Sequence, residues 1–443
     1  MIVPGDGEYD SARRLASFNP TTDKHPQMIV RCATTEDVCR AVVFAREHGV
    51  EVAVRSGGHD VLGASVCDGL VIDLAGMNAI RADPERRTVR VEPGVRSGQL
   101  SAALQGHGLA AALGCHPGVG VAGLTVGGGL GWLLGKHGAA CDHLVGADLV
   151  TAEGKKLRVS KTENAELFWA LRGGGGNFGI VTSLDFRLHP VNRVFGGVLV
   201  LRTDVRRFLR FYRTFMEGAP DELTVEISII AGEQPVIVAI VCWSGDAAQG
   251  SRVLQPLRSF DSPVADWIDD VAYAHLTDRV AEVGSLLSRA QPQQQRGPGY
   301  GYWRGGSLRE LSGAAADQIA AAIEHAPGGS SLGLGHFMHG QVCRVEPGAT
   351  PLIRTAGQIT YFFNTGWGDP RLADDRMEWV NRCCNAMKPF SSRGAYINYL
   401  SADDPAAVEA SYGKNYERLA QIKTRYDPSN FFHRNRNIRP RAM

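Results

Sequence analysis

The chain has 443 residues, of which 44% are hydrophobic and 21% charged, and these ordinary proportions exclude a wholly disordered, collagen-like or coiled-coil protein. Lysine and arginine number 47 and the acidic residues 46, so the net charge of +1 offers no broad positive field for nucleic acid or an anionic membrane. The length predicts two domains, because single domains usually run to about 100–200 residues.

The N-terminal segment and the cysteines indicate a soluble, cytoplasmic protein. The first residues, MIVPGDGEYDSARR, lack the basic and apolar regions of a secretory signal, and no stretch approaches the roughly 18 apolar residues of a spanning helix. Nine widely spaced cysteines without a CxxC pair favour reduced thiols over a disulfide scaffold or a zinc ribbon. No metal centre is predicted.

The first 190 residues alternate between predicted strands and helices, which is an α/β signal. Thr35 is predicted to cap a helix over 36–48, and Gly49 is predicted to end it. The other elements predicted here are strands at 28–32, 51–55, 69–73 and 88–91 and a helix at 96–105.

Beyond residue 190, Val-rich runs alternate polar and apolar positions, and this pattern predicts an antiparallel sheet with helices on one face. The stretch QPQQQRGPGYG at 291–301 predicts an exposed loop. The predicted strands lie at 198–201, 224–230, 236–243, 330–345, 356–364 and 394–400. The predicted helices lie at 205–217, 314–324, 374–387 and 405–426.

Glycine is the compositional outlier, with 53 residues, and three runs of it fall within residues 57–179. Glycine allows close backbone approach and positive φ, so the three runs together favour an extended cofactor lying against the main chain over ordinary turns. The runs are Gly57-Gly58, Gly114 to Gly131, and Gly173 to Gly179.

Three motifs occupy these runs. RSGGHD at 55–60 follows a predicted strand, and successive N–H groups in such a turn form an anion-binding nest suited to pyrophosphate. It is not GxGxxG, and the region lacks the Rossmann fingerprint. VGVAGLTVGGGLG at 119–131 and LFWALRGGGGNFGIVT at 167–182 follow, and the tail carries YGKNYERLAQIKTRYDPSNFF at 412–432.

With these motifs the chain resembles the berberine-bridge-enzyme-like oxidases of the vanillyl-alcohol-oxidase (PCMH-type) flavoprotein superfamily, over nearly its whole length. The resemblance implies an α+β, two-domain FAD-binding fold. Residues 1–195, with a C-terminal return at 405–443, would form the FAD-binding domain. Residues 196–404 would form a substrate domain in which an antiparallel sheet, covered by helices, roofs the flavin.

The resemblance also implies FAD bonded through its 8α-methyl group to His59. Many relatives carry a second bond from a cysteine to flavin C6, at the position that is His116 here, while Cys115 stands one residue earlier. We expect this cysteinyl bond to be absent, because a one-residue slip in an extended segment turns a side chain to the other face. The alternative is a one-residue shift that lets Cys115 reach C6.

The resemblance implies contacts between FAD and the glycine motifs and the C-terminal segment. Val119 falls where the family controls dioxygen access, and a small residue there resembles the oxidases; simple packing is the alternative. Arg436 replaces the family's usual glutamine. The predicted FAD-binding residues are Arg55, Ser56, Gly57, Gly58, His59, Asp60, His116, Val119, Gly120, Val121, Gly123, Thr125, Gly127, Gly128, Gly129, Gly131, Gly176, Gly179, Ile180, Val181, Asn435 and Asn437.

The family's Tyr-x-Asn-Tyr motif maps to Tyr396, Asn398 and Tyr399, and implies that Tyr399 is the catalytic base at the substrate. On the predicted strand, Tyr396 and Asn398 share one face and Tyr399 takes the other. A phenol has a pKa near 10, so a nearby cation or the flavin must lower it for base catalysis near neutrality.

Further aromatic and polar residues of the substrate domain are weaker pocket candidates, since core packing explains most of them. His336 and His339 are not expected to form a metal pair, because their spacing on a strand puts them on opposite faces. The candidates are Tyr302, Trp303, His336, Met338, Gln341, Tyr361 and Trp367.

The predicted function is a covalent FAD-dependent oxidase that takes a hydride from an alcohol, sugar or amine, such as a secondary metabolite in bacterial-type relatives, and gives hydrogen peroxide from O2. A dehydrogenase, an oxidative cyclase and a non-catalytic flavin-binding or ligand-binding protein remain alternatives. The expected state is a monomer or a small homo-oligomer.

Overall fold

A computed structural model describes residues 1–276, 278, 279, 299–400 and 404–441. Most of the loop predicted at 291–301 lies outside these residues. Among them, no helix has the length and apolar character needed to cross a membrane.

The elements follow one another in the order that we number here. The strands are β1 Met28–Arg31, β2 Val52–Arg55, β3 Leu70–Asp73, β4 Ile80–Asp83, β5 Thr88–Val91, β6 Leu144–Val150, β7 Lys156–Ser160, β8 Ile180–Arg187, β9 Arg193–Leu201, β10 Leu223–Ile230, β11 Val236–Trp243, β12 Pro263–Asp266, β13 Asp269–Ala272, β14 Tyr300–Leu308, β15 Ser330–Phe337 and β16 Ile359–Trp367. The helices are α1 Tyr9–Ala12, α2 Thr35–Glu47, α3 Ser97–Gln105, α4 Val121–Val126, α5 Leu134–His137, α6 Ala140–His143, α7 Ala165–Leu171, α8 Val205–Glu217, α9 Ala247–Arg258, α10 Gly313–Glu324, α11 Gln341–Arg344, α12 Ala373–Met387, α13 Pro405–Tyr412 and α14 Tyr416–Tyr426.

A small parallel sheet, in the order β1-β3-β2, delivers the first glycine turn at the end of β2. Helix α2 packs against this sheet through Val38 and Val42, which are fully buried. The cap of α2 is Thr34 and not the predicted Thr35, because the Thr34 hydroxyl accepts from the backbone N–H of Asp37 in a capping box.

A five-stranded sheet, in the order β4-β5-β8-β6-β7, packs against the C-terminal helices. Residues Tyr412 and Leu419 of the tail lie in the same buried cluster as Val89 and Leu149 of the sheet. Chain segments far apart in sequence therefore share one core.

Lys423, on α14, is fully buried and fastens the C-terminal segment. Its Nζ donates to Asp427 Oδ2 at 2.6 Å, to the carbonyl of Asn177 at 2.8 Å and to that of Phe432 at 2.9 Å. A buried ammonium group needs such a full set of acceptors, so this contact holds the tail against the third glycine run.

The predicted antiparallel sheet is present and has eight strands in the described part of the chain. Its order is β12-β9-β11-β10-β15-β16-β14, with β13 pairing with β9. Apolar side chains of α8, α10 and α12 cover one face. The other face packs on residues 110–133 of the glycine-rich region. The α+β fold class is thus confirmed.

Several predicted elements differ from the structure. The strand predicted at 394–400 is wrong, since 397–399 form a short 3₁₀ turn. The tail helix is split at Gly413, where φ is +49°. The division at residue 195 falls inside β9, and the division into domains stays a prediction.

Candidate active site

The turn that follows β2 is fixed by a buried ion pair and packs closely against the second glycine run. Arg55, predicted as a cofactor contact, pairs with Asp73, its Nη2 lying 2.8 Å from Oδ2, and both side chains are buried. Gly57 and Gly120 meet so closely that a Cβ at Gly57 would lie 2.5 Å from the Gly120 nitrogen. Gly58 has φ +70°. The turn can therefore bring bare backbone to a ligand.

His59 and His116, which lie on different loops, meet at this turn. Their ring centroids are 4.8 Å apart, and His116 Nδ1 accepts from the backbone N–H of Gly118 at 3.1 Å. Desolvation, and secondarily Arg96, lowers the pKa of His59. Desolvation and His59 lower the pKa of His116. Both rings are consequently neutral near pH 7, as a nucleophilic imidazole must be.

Cys115 faces away from this pair. Its Sγ lies 3.8 Å from Nε2 of His336 on β15, and burial raises the pKa of the thiol well above its usual value. Adjacent residues of the segment thus point to different neighbours. The His116 ring points to His59, whereas the Cys115 thiol points to the eight-stranded antiparallel sheet, which we call the roofing sheet.

Asp60, at the end of the turn, shapes the chain that follows it. Its carboxylate accepts from the backbone N–H of Leu62 at 3.1 Å and of Ser65 at 2.8 Å. Arg436 Nη1 lies 3.9 Å from Asp60 Oδ1, and Arg436 Nε donates to the carbonyl of Leu400 at 2.7 Å. Arg436 therefore ties the turn to the segment that carries Tyr399.

The 3₁₀ turn at 397–399 is anchored to the second glycine run through its polar side chains. The Tyr396 hydroxyl accepts from the backbone N–H of Gly129 at 2.9 Å, and burial raises its pKa to about 12. Asn398 Nδ2 donates to Tyr396 Oη at 2.8 Å and to the carbonyl of Leu124 at 3.1 Å. These contacts position Tyr399.

Tyr399 stands under the roofing sheet among aromatic rings. Its ring centroid is 5.0 Å from that of Trp303 and 6.0 Å from that of Phe362. Desolvation raises the pKa of Tyr399 well above its usual value, and Glu226 raises it further. The sequence led us to expect that a cation or the flavin would lower the pKa of Tyr399. Among the described residues that act on this phenol, none is such a cation.

Glu226 on β10 and His336 on β15 lie within ion-pairing distance of each other on the roofing sheet. Glu226 Oε1 lies 3.2 Å from His336 Nε2, and Thr360 Oγ1 lies 3.4 Å from His336 Nδ1. Burial lowers the pKa of His336. With Cys115, the pair offers three possible metal-ligand atoms within 4.8 Å of one another.

The third glycine run meets the C-terminal segment. Asn435 Nδ2 donates to the carbonyl of Gly176 at 3.0 Å. Asn177, which the sequence did not single out, is fully buried and bonds Ile438 N and the carbonyl of Arg436. The feature of the sequence that could have identified Asn177 is its position inside the third glycine run.

The residues present fit an FAD molecule. Buried side-chain oxygens of Thr125, Thr182, Asn435 and Asn437 have no hydrogen-bond partner, as expected for groups that meet a polar ligand. Gly123 and Gly176 face open space.

The other predicted FAD-binding residues make the following contacts within the protein, and their contact with FAD stays a prediction. Ser56 donates to the carbonyl of Pro93 at 2.5 Å, and Gly128 has φ +116°. The carbonyl of Val119 accepts from the backbone N–H of Ser97. Cβ atoms at Gly127, Gly131 and Gly179 would overlap Asn398, Leu113 and Leu149, respectively. Val121, Ile180 and Val181 are buried in the core.

The pocket candidates divide between the two faces of the sheet. Trp303 and His336 face the site. Tyr302 and Tyr361 bond Asn381 and Ser391 outside it, and His339 lies beyond the end of β15. The sequence analysis did not identify Glu226 or Phe362 as residues of the site. The signal available for Glu226 was that it is the single acidic residue in the strand LTVEISII. Met338 packs against Tyr396, Gln341 begins α11, and Trp367 ends β16.

Comparison with known proteins supports an FAD-linked oxidoreductase. Residues 26–160 match the family model described as an FAD binding domain, and residues 395–439 match the one described as berberine and berberine like. YgaK of Bacillus subtilis (strain 168), an uncharacterized FAD-linked oxidoreductase, is 30% identical to this chain over 99% of the chain and 96% of YgaK.

Two solved structures share the fold over nearly their whole length. That of 6-hydroxy-D-nicotine oxidase from Arthrobacter nicotinovorans has a TM-score of 0.88 at 27% identity and covers 99% of this chain and 97% of its own. That of xylooligosaccharide oxidase from Myceliophthora thermophila C1 has a TM-score of 0.85 at 25% identity, with coverage of 100% and 97%.

Proposed function

This chain belongs to the FAD-linked oxidoreductases with a berberine-like C-terminal segment, and from that premise we propose that it is a covalently flavinylated oxidase of a small alcohol, sugar or amine. Residues 1–195 and 405–443 would hold FAD, and residues 196–404 would form the roof over the substrate. Bound FAD would take a hydride at N5 and pass two electrons to O2, giving H2O2.

The observation that carries the proposal is that the second glycine run contacts both the turn that holds His59 and the segment that carries Tyr399. The neutral imidazole of His59 is suited to bond the flavin 8α-methyl, while Cys115 is turned toward His336. This arrangement supports a single histidyl bond without the cysteinyl one.

The chain's own residues would orient the substrate and form a hydrogen bond with it. Trp303, Phe362 and Tyr399 offer aromatic surface beside a phenol that can hydrogen-bond the substrate O–H or N–H. Tyr396 and Asn398 hold Tyr399 in place through the bonds to the second glycine run. A substrate bound among these rings would displace the water that reaches Tyr399.

The test of the covalent bond is acid precipitation of the purified protein followed by peptide mass mapping. We expect the yellow colour to stay with the pellet and to map only to the peptide that holds His59. In His59→Ala, FAD should dissociate in acid, whereas the exposed His107→Ala serves as the control and should retain it. A flavin peptide in His59→Ala contradicts the assignment, and one at Cys115 contradicts the single bond.

A dehydrogenase, an oxidative cyclase and a flavin-binding protein without turnover are distinguished from the oxidase by oxygen. Substrate-driven flavin reduction without consumption of O2 would indicate a dehydrogenase. No reduction by any alcohol, sugar or amine would indicate a binding protein. The cytoplasmic location and the monomeric or small oligomeric state stay predictions.

A further inference from the structure

The roofing face of the sheet carries an acidic side chain without a basic partner. Glu226 projects from β10 toward the glycine-rich region, and its side chain is 18% exposed. In the described part of the chain its ion-pairing partner is His336, and no lysine or arginine joins it. A carboxylate in such a place is costly unless a cation meets it.

The groups around Glu226 are neutral near pH 7. Burial lowers the pKa of His336, and desolvation lowers the pKa of His116. Burial raises the pKa of Tyr399 and of Cys115, so the phenol and the thiol stay protonated. Arg96 acts on His59, but it is not among the groups acting on Tyr399, His336 or Cys115.

Glu226 acts electrostatically on Tyr399, and two further aromatic rings stand beside Tyr399. Trp303 and Phe362 stack with centroids 5.2 Å apart, and Tyr399 meets both rings edge-on. Although they lie under the sheet, all three residues and Glu226 keep partial exposure, so they line a space that solvent reaches. Aromatic faces together with one carboxylate favour an organic cation.

We propose that Glu226 and the rings of Trp303, Phe362 and Tyr399 form a recognition site for the ammonium group of an amine substrate. The inference rests on the proposed oxidase function and narrows its substrate class. Neutral alcohols and sugars can donate a hydrogen bond to the carboxylate but carry no positive charge to pair with it, and carboxylates or phosphates are repelled by it.

The same carboxylate also accounts for a proton that amine oxidation must release. The bound ammonium group would pass one N–H proton through the Glu226 carboxylate to water, which leaves a neutral amine. The adjacent carbon would then give up its hydride, two electrons with one proton, to bound FAD as the oxidant. The substrate would leave as an iminium ion, and water would convert the iminium ion to a carbonyl compound and an ammonium ion.

The test is a binding comparison that does not require turnover. The holoenzyme would be titrated with N-methylbenzylamine, tyramine, benzyl alcohol, tyrosol and benzoate, and the flavin difference spectrum would give each Kd. We expect the amines to bind at least about tenfold more tightly than the alcohols of matching skeleton, and benzoate to bind most weakly. Equal affinity, or no amine among the ligands that bind, would overturn the proposal.

The variant Glu226→Gln keeps the shape of the side chain and removes its charge. Its Kd for the amines should rise about ten- to hundredfold, equivalent to about 1.4–2.8 kcal/mol, with less than about threefold change for the alcohols. Glu233→Gln, in the exposed turn between β10 and β11, is the matched control. Flavin content and Tm report folding, and Glu226→Asp, which keeps the charge, should retain the preference for amines.

The same samples distinguish failure of the amine proposal from failure of the oxidase proposal, and they also test for a bound metal. Anaerobic flavin reduction by alcohols but not by amines would reject the amine site and leave the oxidase proposal standing, whereas no reduction by any compound would reject the oxidase. A stoichiometric divalent metal, retained by wild type and lost in Cys115→Ser, would show that Glu226 is a metal ligand and overturn the ammonium site.

Discussion

At the scale of single residues, the phenol of Tyr399 and the imidazole of His59 have their properties set by desolvation. Tyr399 is kept protonated by burial and by Glu226, so it is suited to donate and relay a hydrogen bond rather than to act as a phenolate. His59 is kept neutral and available for the flavin. The sequence identified both residues by motif, but their protonation depends on neighbours from other elements.

Replacing Tyr399 by phenylalanine removes one hydroxyl and leaves the aromatic packing in place. We expect covalent flavin content to be unchanged and the rate of anaerobic flavin reduction by substrate to fall about ten- to hundredfold, because the substrate loses its hydrogen-bond partner. Stopped-flow absorbance measures this rate. Tyr302→Phe, on the opposite face of β14, is the control, and an unaltered rate in Tyr399→Phe removes Tyr399 from the mechanism.

At the scale of elements, two glycine runs cross at Gly57 and Gly120, and the 3₁₀ turn carrying Tyr399 is bonded to the second of them. The crossing brings bare backbone to the ligand, and the turn brings the phenol. The predicted strand at 394–400 fails because Tyr396 and Asn398 satisfy backbone groups of the glycine run instead of a neighbouring strand. Alternation of side chains by itself does not reveal such partners.

A methyl group added at Gly57 should separate the two crossing runs, because its Cβ would lie 2.5 Å from the Gly120 nitrogen. We expect Gly57→Ala to lose about 1–3 kcal/mol of unfolding free energy and to retain several-fold less covalent flavin. Urea unfolding and the ratio of flavin to protein absorbance measure both. Gly106→Ala, where an added Cβ meets nothing within 4 Å, is the control. Equal flavin content in the two variants would contradict the crossing.

At the scale of the whole molecule, three histidines form a half-buried cluster. The His137 and His189 rings stack at 3.8 Å, and His143 Nδ1 lies 3.0 Å from His189 Nε2. Desolvation lowers the pKa of His137 to about 4 and that of His189 to about 3, and it also lowers that of His143. The neighbouring charged groups that act on the cluster are Lys136, Asp142, Arg187 and Arg354.

The cluster predicts a protein that loses stability in mild acid. Each histidine stays neutral when folded but takes a proton near pH 6.5 when unfolded, so the unfolded state binds more protons as the pH falls from about 6.5 toward 4. Unfolding free energy should therefore drop by up to about 1.4 kcal/mol per pH unit for each histidine, and by less where water screens the partly exposed His137 and His189.

Urea unfolding of the holoenzyme between pH 7 and pH 5 measures this slope. His189→Asn should flatten the decline relative to wild type, because the remaining histidines lose their neighbour, whereas the exposed His48→Asn should not alter it. Identical slopes in all three proteins would show that the cluster does not titrate in this range.

Sequence by itself determined the family and its cofactor. The glycine runs and the tail motif are short local patterns, and each is required by the close approach of the backbone to the ligand, so both can be read without the structure. Sequence also determined most strands and helices, since apolar periodicity reports which face is buried. Strands β5 and β11 and helix α8 match the predicted bounds, whereas α9 and β14 were not predicted.

Only the tertiary structure decided what surrounds the predicted site. In the folded protein Cys115 faces the roofing sheet, and Arg55 pairs with Asp73. The tertiary structure also set Glu226 beside His336, which lies 110 positions away on a neighbouring strand. The physical reason is that pairing across a sheet and packing between distant segments choose partners by shape and charge in three dimensions, and no local spacing in the sequence encodes those choices.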